Sequence, residues 1–251
     1  MRRRSSGGPA LRAVAFDYRD TLAEFRWDDG LWRRGIAATL VVAGADPALR
    51  DRAAEALRRR LDRRAGPDLA EIDYPALVAD VLGELGVAAD AGTVDRCVEA
   101  EFRVWAPARH VHPDAPALLD GVRRRGLACA LVANTFDPPA LFRADLDAQG
   151  IGGRMDATVL SAELGVRKPH PAVYAALVER LGVDPAAILF VGDRLADDVD
   201  GPAAAGMQTC LAAWYRRDPG SAGRAVTICT EPLHVLEILE ALVGSGSTGK
   251  I

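Results

Sequence analysis

The 251-residue sequence predicts a doubly wound α/β fold, a parallel sheet with helices on both faces and one helical insertion. Two observations support this prediction. Short runs that are apolar throughout alternate with stretches of helical periodicity, and such runs are typical of strands buried on both faces of a parallel sheet. After the first run, by contrast, residues 26–107 show helical periodicity alone. At 49% hydrophobic residues the chain can bury a substantial core.

The predicted elements follow in order along the chain. The apolar runs that predict strands are residues 13–16, 128–132, 158–160, 188–191, 209–211 and 226–229. The helical patterns between and after them are residues 116–125, 171–181, 200–205 and 232–242. Strand and helix in repetition predict a parallel sheet covered on both faces.

The helical insertion is predicted from apolar residues spaced along two helix faces. These residues are Leu49, Ala53, Leu57 and Leu61 on one helix, and Leu77, Val81, Leu82 and Leu85 on another. Asp46-Pro47 predicts a helix start, and Gly66-Pro67 and Gly86 predict helix ends. We therefore expect residues 11–25 and 108–243 to form the core and residues 26–107 to form a cap over its ligand edge. Residues 1–10 and 244–251, which are rich in Gly and Ser, are expected to be disordered tails.

Composition narrows the possible partners. Lys and Arg number 31 against 35 Asp and Glu, so no overall positive field attracts nucleic acid. No apolar run approaches the roughly 18 residues of a membrane span, and we expect a cytoplasmic protein. The arginine run at residues 58–64 is interpreted as a solvated helix face. The four cysteines show no metal-ligand spacing and are expected to be buried free thiols.

Polar side chains follow four of the predicted strands, at the edge where open α/β sheets bind ligands. They are Asp17, then Ala133-Asn134-Thr135, then Lys168, and finally Asp193 with Asp197 and Asp198. A carboxylate, a small polar turn, a lysine and an acidic cluster suit phosphoryl transfer through an aspartyl-phosphate. Asp17 is then the nucleophile, and Asp193 holds Mg²⁺ together with Asp197 or Asp198. Lys168 supplies the positive charge that clustered carboxylates need.

In this order and spacing the four segments resemble the motifs of the haloacid dehalogenase-like (HAD) hydrolase superfamily, over about residues 11–242. The most specific are Gly-Val-Arg-Lys-Pro at 165–169 and Gly-Asp-x-x-x-Asp-Asp-x-x-Gly at 192–201, with Asp17-x-x-x-Thr21-Leu22. The helical insertion resembles the family's C1-type cap. The resemblance implies a Rossmann-like core and a Mg²⁺-dependent hydrolase that acts as a phosphatase on a small phosphorylated metabolite.

The resemblance also implies a role for each position. Asp17 is the nucleophile, Lys168 is the charge clamp, and Ala133, Asn134 and Lys168 surround the phosphate. The metal ligands are Asp17, Asp193, Asp198 and the backbone carbonyl of Arg19, with Asp197 as a possible support. In family phosphatases the residue at position 19 is an aspartate that also serves as general acid and base.

Two positions depart from the family pattern. Arg19 replaces the general acid, and a guanidinium stays protonated and cannot shuttle a proton. Loss of a positioned acid costs about 10²- to 10⁴-fold in rate. Ala133 replaces a Ser or Thr that donates a hydrogen bond to the phosphoryl oxygen, and loss of one such donor costs on the order of 10²- to 10³-fold. Asp20 is the nearest substitute acid, but its place in the turn is expected to point it elsewhere.

Three functions remain open from the sequence. The first is a Mg²⁺-dependent phosphohydrolase, slow on alkyl phosphates and better on acyl or aryl phosphates. The second is a catalytically impaired binding or regulatory module in which Arg19 pairs with Asp17. The third is a 2-haloacid dehalogenase, which needs no metal and is disfavoured by the acidic cluster at 193–198. Substrate identity and oligomeric state stay undetermined.

Overall fold

The computed structural model describes residues 10–63, 68–215 and 226–244. The tails expected to be disordered, apart from residues 10 and 244, lie outside this range, as does the predicted helix end at Gly66-Pro67. The strands are β1 Ala13–Phe16, β2 Ala23–Phe25, β3 Arg109–Val111, β4 Ala128–Ala133, β5 Ala157–Leu160, β6 Ile188–Gly192, β7 Gln208–Ala212 and β8 Ile228–Cys229. The helices before β4 are α1 Asp29–Val42, α2 Arg50–Arg63, α3 Tyr74–Glu84, α4 Ala91–Val104 and α5 Ala115–Arg124. Those after it are α6 Pro139–Ala148, α7 Ser161–Leu164, α8 Pro171–Leu181, α9 Gly201–Ala204 and α10 His234–Gly244.

Six strands form one parallel sheet in the order β5-β4-β1-β6-β7-β8. β1 lies between β4 and β6, and its four residues are fully buried. The order reverses direction at β1, and in open α/β sheets this switch point opens the crevice that binds ligands. The predicted doubly wound sheet is therefore confirmed, and residue 17 follows its central strand.

Apolar side chains cover both faces of the sheet. On one face α5, α6 and α10 pack against the strands through residues such as Leu118, Leu146 and Leu239. On the other face α8 contributes Tyr174 and Leu177. All six predicted strands are present, although in β8 the paired residues are just two, Ile228 and Cys229.

Helix α6 and the antiparallel pair β2–β3 are elements that the sequence did not predict. β2 and β3 pair in the register Ala23↔Val111 and lie on either side of the helical segment. Strands of three residues are too short to show a periodicity of two. Helix α6 is ten residues long and buries only Phe142 and Leu146, which are too few apolar positions to show a helical repeat.

Helices α1 to α4 pack around an apolar cluster of their own. It contains Leu57, Leu77 and Val81 from the predicted helix faces, together with residues of α1 and α4. At Asp46-Pro47, where the sequence predicts a helix start, the structure has a single 3₁₀ turn over residues 47–49, and α2 follows it. Gly86 has φ +76°, which explains why the chain turns there after α3.

The cysteine and membrane expectations can be compared with the described residues. All four cysteines are buried free thiols, as predicted, and the Sγ atoms of Cys210 and Cys229 lie 3.1 Å apart on neighbouring strands. None of the helices within the described ranges has the length and apolar character needed to span a bilayer.

Candidate active site

A buried lysine joins two carboxylates at the carboxyl edge of the sheet. Lys168 Nζ lies 2.6 Å from Asp17 Oδ1 and 2.7 Å from Asp198 Oδ1. Lys168 is 3% exposed, Asp17 8% and Asp198 fully buried. The backbone N–H of Asp17 donates to the carbonyl of Val191, which extends the pairing of β1 with β6 and fixes where the carboxylate leaves the sheet. Residues 17, 168 and 198 are thus brought together as predicted.

Asp193 completes an acidic cluster with Asp17 and Asp198. One carboxylate oxygen from each of the three lies within 4.8 Å of the other two. The turn after β6 winds as a wide π-helical turn over residues 195–200, and the Asp198 carboxylate accepts a hydrogen bond from the Arg194 N–H. A Cβ at Gly192 would overlap the Asp198 carboxyl group, so the close approach requires glycine.

Asp197, the alternative ligand left open by the sequence, is not part of this cluster. Its carboxylate faces Arg194 at 4.0 Å, and its backbone carbonyl accepts a hydrogen bond of 2.6 Å from the Tyr174 hydroxyl. Between Asp197 and Asp198, the geometry therefore selects Asp198 as the partner of Asp193.

Burial and charge act against each other in the cluster. Burial raises the pKa of Asp17 to about 6, although the nearby Lys168 ammonium lowers it and Asp198 raises it further. Burial alone lowers the pKa of Lys168, but Asp17 and Asp198 together outweigh burial and raise it. The lysine is therefore permanently charged, and the cluster carries more negative than positive charge once its carboxylates are ionised.

The donor set fits a hard divalent cation. Three buried carboxylates with oxygens within 4.8 Å of one another are the ligand type that Mg²⁺ prefers, since it is held by one or two carboxylates and further oxygens. A single lysine does not balance three carboxylates, and a bound cation would remove the excess charge.

The end of β4 supplies a backbone turn beside Lys168. Ala133 is the buried last residue of β4, and its methyl group cannot donate a hydrogen bond. The Asn134 side chain binds the backbone of Lys168 on both sides, accepting from its N–H at 2.7 Å and donating to its carbonyl at 3.1 Å. The amide of Asn134 therefore positions the lysine. The role of residues 133 and 134 in phosphate binding stays a prediction.

Arg19 does not pair with the nucleophile. Its side chain is exposed, and its Cζ atom lies 5.9 Å from the centre of the Phe25 ring. Asp17 is paired with Lys168 instead, and within the described ranges Arg19 has no carboxylate partner within 4.0 Å. The Arg19–Asp17 ion pair expected for an impaired binding module is therefore wrong. Asp17 pairs with the buried Lys168 ammonium in its place.

A cavity of about 580 Å³ lies between the helical segment and the loops that follow β4 and β5. Tyr74 and Phe136 stack in its wall with ring centres 4.8 Å apart. The wall also includes Glu71, Asp137 and Gly165. Its volume is in the range that holds small-molecule ligands. Because parallel strands are about 4.8 Å apart, the ends of β4 and β5 are about 5 and 10 Å from the end of β1.

Sequence reasoning missed the residues that hold these loops. Ser161 is fully buried and bonds to the backbone of Thr135, and Glu71 of the helical segment reaches Ser161. The Tyr174 hydroxyl supports the turn at Asp197. Such contacts join residues far apart in the chain, so no spacing in the sequence marks them.

Comparison with known proteins points to one family. A family profile described as haloacid dehalogenase-like hydrolase matches residues 11–206. The phosphoserine phosphatase of Thermus thermophilus is 36% identical over 107 residues, which is 43% of this chain and 41% of that protein. The chain spans 41% to 55% of the length of the first four curated relatives it matches.

Solved structures are similar over most of the chain. A HAD phosphatase from Thermococcus onnurineus superimposes with a TM-score of 0.63 at 22% identity, over 91% of this chain and 98% of that one. The 2-haloacid dehalogenase from Pseudomonas syringae gives a TM-score of 0.61 at 21% identity, over 92% and 99%. At these identities the likeness establishes the fold, which phosphatases and dehalogenases share.

Proposed function

The chain belongs to the haloacid dehalogenase-like hydrolases, and from this membership and the site geometry we propose that it is a Mg²⁺-dependent phosphohydrolase acting through an aspartyl-phosphate. One observation carries the proposal: Lys168 joins Asp17 and Asp198 in a buried cluster that also contains Asp193. The substrate class is a small phosphorylated metabolite.

The first step is attack of the Asp17 carboxylate on phosphorus. A bond forms between the Asp17 oxygen and phosphorus, and the bond from phosphorus to the leaving oxygen breaks, with the electron pair remaining on that oxygen. Water then attacks phosphorus, the bond from phosphorus to the Asp17 oxygen breaks, and inorganic phosphate leaves with the proton of the attacking water, which restores the Asp17 carboxylate. Lys168 orients Asp17 and neutralises charge on the transferring group. Asp17, Asp193, Asp198 and the carbonyl of residue 19 would hold a magnesium ion, which would supply further charge stabilisation when bound.

Arg19 decides which leaving groups are suitable. An alkoxide needs a proton as it departs, and the guanidinium cannot provide one. The leaving groups of acyl and aryl phosphates depart as stable anions, so they need no general acid. The proposed substrates are therefore acyl or aryl phosphates, and Ala133 slows the reaction further.

The helical segment of residues 26–107 is proposed to act as a cap. It contributes Tyr74 and Glu71 to the wall of the cavity, and the core contributes Phe136 and Gly165, which lies three residues before Lys168. In this proposal the cavity receives the leaving group, while the phosphoryl group lies between Lys168 and the end of β4.

The charge of the cluster favours a phosphohydrolase over a 2-haloacid dehalogenase. A dehalogenase needs no metal, and three carboxylates beside one lysine would then keep two surplus negative charges at neutral pH. With a bound divalent cation the charges balance.

The test is turnover of acetyl phosphate and p-nitrophenyl phosphate with Mg²⁺, beside glycerol 3-phosphate and 2-chloropropionate. We expect acetyl phosphate to be hydrolysed at least about 10²-fold faster than glycerol 3-phosphate, because the latter needs a general acid. Chelation of Mg²⁺ with EDTA should stop the reaction. Asp17→Asn should lower kcat by roughly 10⁴-fold or more, because it removes the nucleophile.

Asp20→Asn is the matched control. Asp20 has φ +61°, a conformation that asparagine also tolerates, so this variant should fold and keep its activity. A loss of activity in Asp20→Asn would identify Asp20 as a substitute acid. Chloride release from 2-chloropropionate without Mg²⁺, or phosphate release that survives Asp17→Asn, would refute the proposal.

A further inference from the structure

A short stretch of the helical segment pairs with the loop that carries Lys168. Residues 69–71, here called the linker strand, lie antiparallel to residues 165–167, here called the lysine loop. The N–H of Glu71 donates to the Gly165 carbonyl, and the N–H of Arg167 donates to the Leu69 carbonyl, both at 2.9 Å. The helical segment is thereby tied to the chain one residue before Lys168.

Leu69 takes a backbone conformation that its side chain disfavours. Its φ is +57°, in the left-handed region that residues other than glycine rarely adopt. The conformation persists at the point where the linker strand meets the lysine loop, as expected where surrounding contacts determine the backbone. The Leu69 carbonyl accepts a hydrogen bond from the Arg167 N–H, so the pairing itself contributes to holding this conformation.

The Glu71 side chain extends this pairing to the turn after β4. Its Oε2 atom accepts a hydrogen bond of 2.5 Å from the Ser161 hydroxyl, and its Oε1 atom accepts one of 2.8 Å from the Ile72 N–H. The Ser161 oxygen in turn accepts a 2.8 Å bond from the Thr135 N–H. A chain of hydrogen bonds thus runs from the turn after β4 through Ser161 to the helical segment.

The single hydrogen of the Ser161 hydroxyl has two acceptors within reach. One is the Glu71 carboxylate at 2.5 Å, and the other is the Thr135 carbonyl at 3.0 Å. A bond to an ionised carboxylate is the stronger one. If the helical segment moves away, the hydroxyl can turn to Thr135, so no buried donor is left without a partner. The contact with Glu71 can therefore form and break at low cost.

We infer that Glu71 is a positioning residue that closes the helical segment onto the site and holds both loops around the phosphoryl group. The inference rests on the proposed function, since it assigns phosphate binding to the turn at Asn134 and Thr135. The Glu71 side chain acts on that turn through Ser161, while the backbone N–H of residue 71, which any residue but proline supplies, holds the lysine loop. Glu71 also forms part of the cavity wall, so the same movement that closes the helical segment onto the site encloses the leaving group in the cavity.

The test compares Glu71→Ala, Glu71→Gln and Ser161→Ala with the unchanged enzyme. With acetyl phosphate and Mg²⁺, Glu71→Ala should lower kcat/KM by about 10- to 10²-fold, because small misplacements of binding groups cost that much. The inhibition constant of inorganic phosphate should rise about tenfold. Glu71→Gln keeps an oxygen acceptor for Ser161 and should recover activity to within about threefold.

Two further measurements separate positioning from folding. Glu55→Ala removes an exposed glutamate of the same helical segment, bonded to Arg59, and should change neither activity nor phosphate inhibition. The melting temperature of Glu71→Ala should stay within about 4 °C of that control. The double variant Glu71→Ala with Ser161→Ala should be no slower than the slower single variant, because both lie on one path.

Several outcomes would overturn the inference. They are unchanged kcat/KM in Glu71→Ala, equal impairment of the Ala and Gln variants, or additive losses in the double variant. If the unchanged protein turns over no substrate, the proposed function fails, and binding of inorganic phosphate with Mg²⁺ is measured by calorimetry instead. Weaker binding in Glu71→Ala but not in Glu55→Ala then still supports Glu71, whereas equal binding or no binding at all refutes it.

Discussion

The molecule buries carboxyl groups in two places and treats their charge in opposite ways. At the sheet edge, Asp17 and Asp198 share the ammonium of Lys168. In the helical segment, Glu101 is 4% exposed, and its partners are neutral: the Tyr74 hydroxyl at 2.6 Å and the Trp105 side chain. Burial raises the pKa of both Asp17, to about 6, and Glu101, to about 7.

This difference distinguishes a functional site, the cluster at the sheet edge, from a buried structural carboxyl group, Glu101. Glu101 can satisfy its surroundings by taking up a proton near neutral pH, so it needs no ion. The sheet edge retains a charged lysine and three carboxylates, and protonation of one carboxylate does not remove the need for a further cation. A group of buried carboxylates that has too few positive partners therefore indicates function more reliably than a raised pKa does.

The largest expected effect comes from removing the lysine. Lys168→Met leaves Asp17 and Asp198 buried without a counter-charge and should lower the free energy of unfolding by about 3–5 kcal/mol at pH 8. The loss should shrink as the pH falls, because protonation removes the uncompensated charges. Urea unfolding at pH 8 and pH 5, with and without Mg²⁺, measures this.

Arg180→Met is the control for Lys168→Met. Its guanidinium pairs with the partly exposed Glu163, and surface pairs contribute about 0–1 kcal/mol. A loss in Lys168→Met that is equal at both pH values would mean that packing, and not charge, stabilises the sheet edge. The sheet edge and Glu101 would then not differ in how buried charge affects stability.

Glu101→Gln should have the next largest effect, and of opposite sign. The folded pKa of about 7 exceeds the ordinary value of 4.5, so the folded protein holds the proton more tightly than the unfolded chain. Below about pH 4.5 both states are protonated, and the group has no effect. Between pH 4.5 and 7 stability falls as the pH rises, and above pH 7 about 3 kcal/mol is lost. Glu101→Gln should recover up to that amount at pH 8 and almost nothing at pH 4.

The measurement is thermal or urea unfolding of both proteins across this pH range. The amide oxygen can accept from the Tyr74 hydroxyl as the carboxylate does, so this buried hydrogen bond is kept. Activity on acetyl phosphate should not change. A stability difference that does not vary with pH would show that the pKa of Glu101 is the same in the folded and unfolded states and is not raised by burial.

The fold was predictable because its signals are local. β1 and α8 have the predicted bounds, since an apolar run and a helix with proline at its start each mark themselves within a few residues. The β2–β3 pair was missed because three-residue strands carry no periodicity. Its pairing depends on residues that are more than 80 positions apart and meet only in the folded chain.

The residues of the candidate site also divide into those that the sequence could predict and those that it could not. Asp17, Lys168, Asp193 and Asp198 follow strands of one parallel sheet, so their meeting at one edge follows from topology. The choice of Asp198 over Asp197 depended on the π-helical turn, which no sequence pattern predicted. Glu71 and Ser161 are 90 residues apart, and their contact follows from how the helical segment docks.

The smallest expected effect on stability comes from replacing Arg19, two residues after Asp17. Arg19 is exposed, so Arg19→Asp should change the free energy of unfolding by less than about 0.5 kcal/mol, whereas the buried carboxyl group of Glu101 has a larger effect. Turnover of glycerol 3-phosphate should rise roughly 10²-fold, the lower end of what a positioned acid contributes, because Ala133 still lacks a donor. Acetyl phosphate, which needs no acid, should be unaffected. Arg19→Asn removes the guanidinium without supplying an acid, and an equal gain in that variant would mean that Arg19 obstructs the site instead of lacking a proton to give.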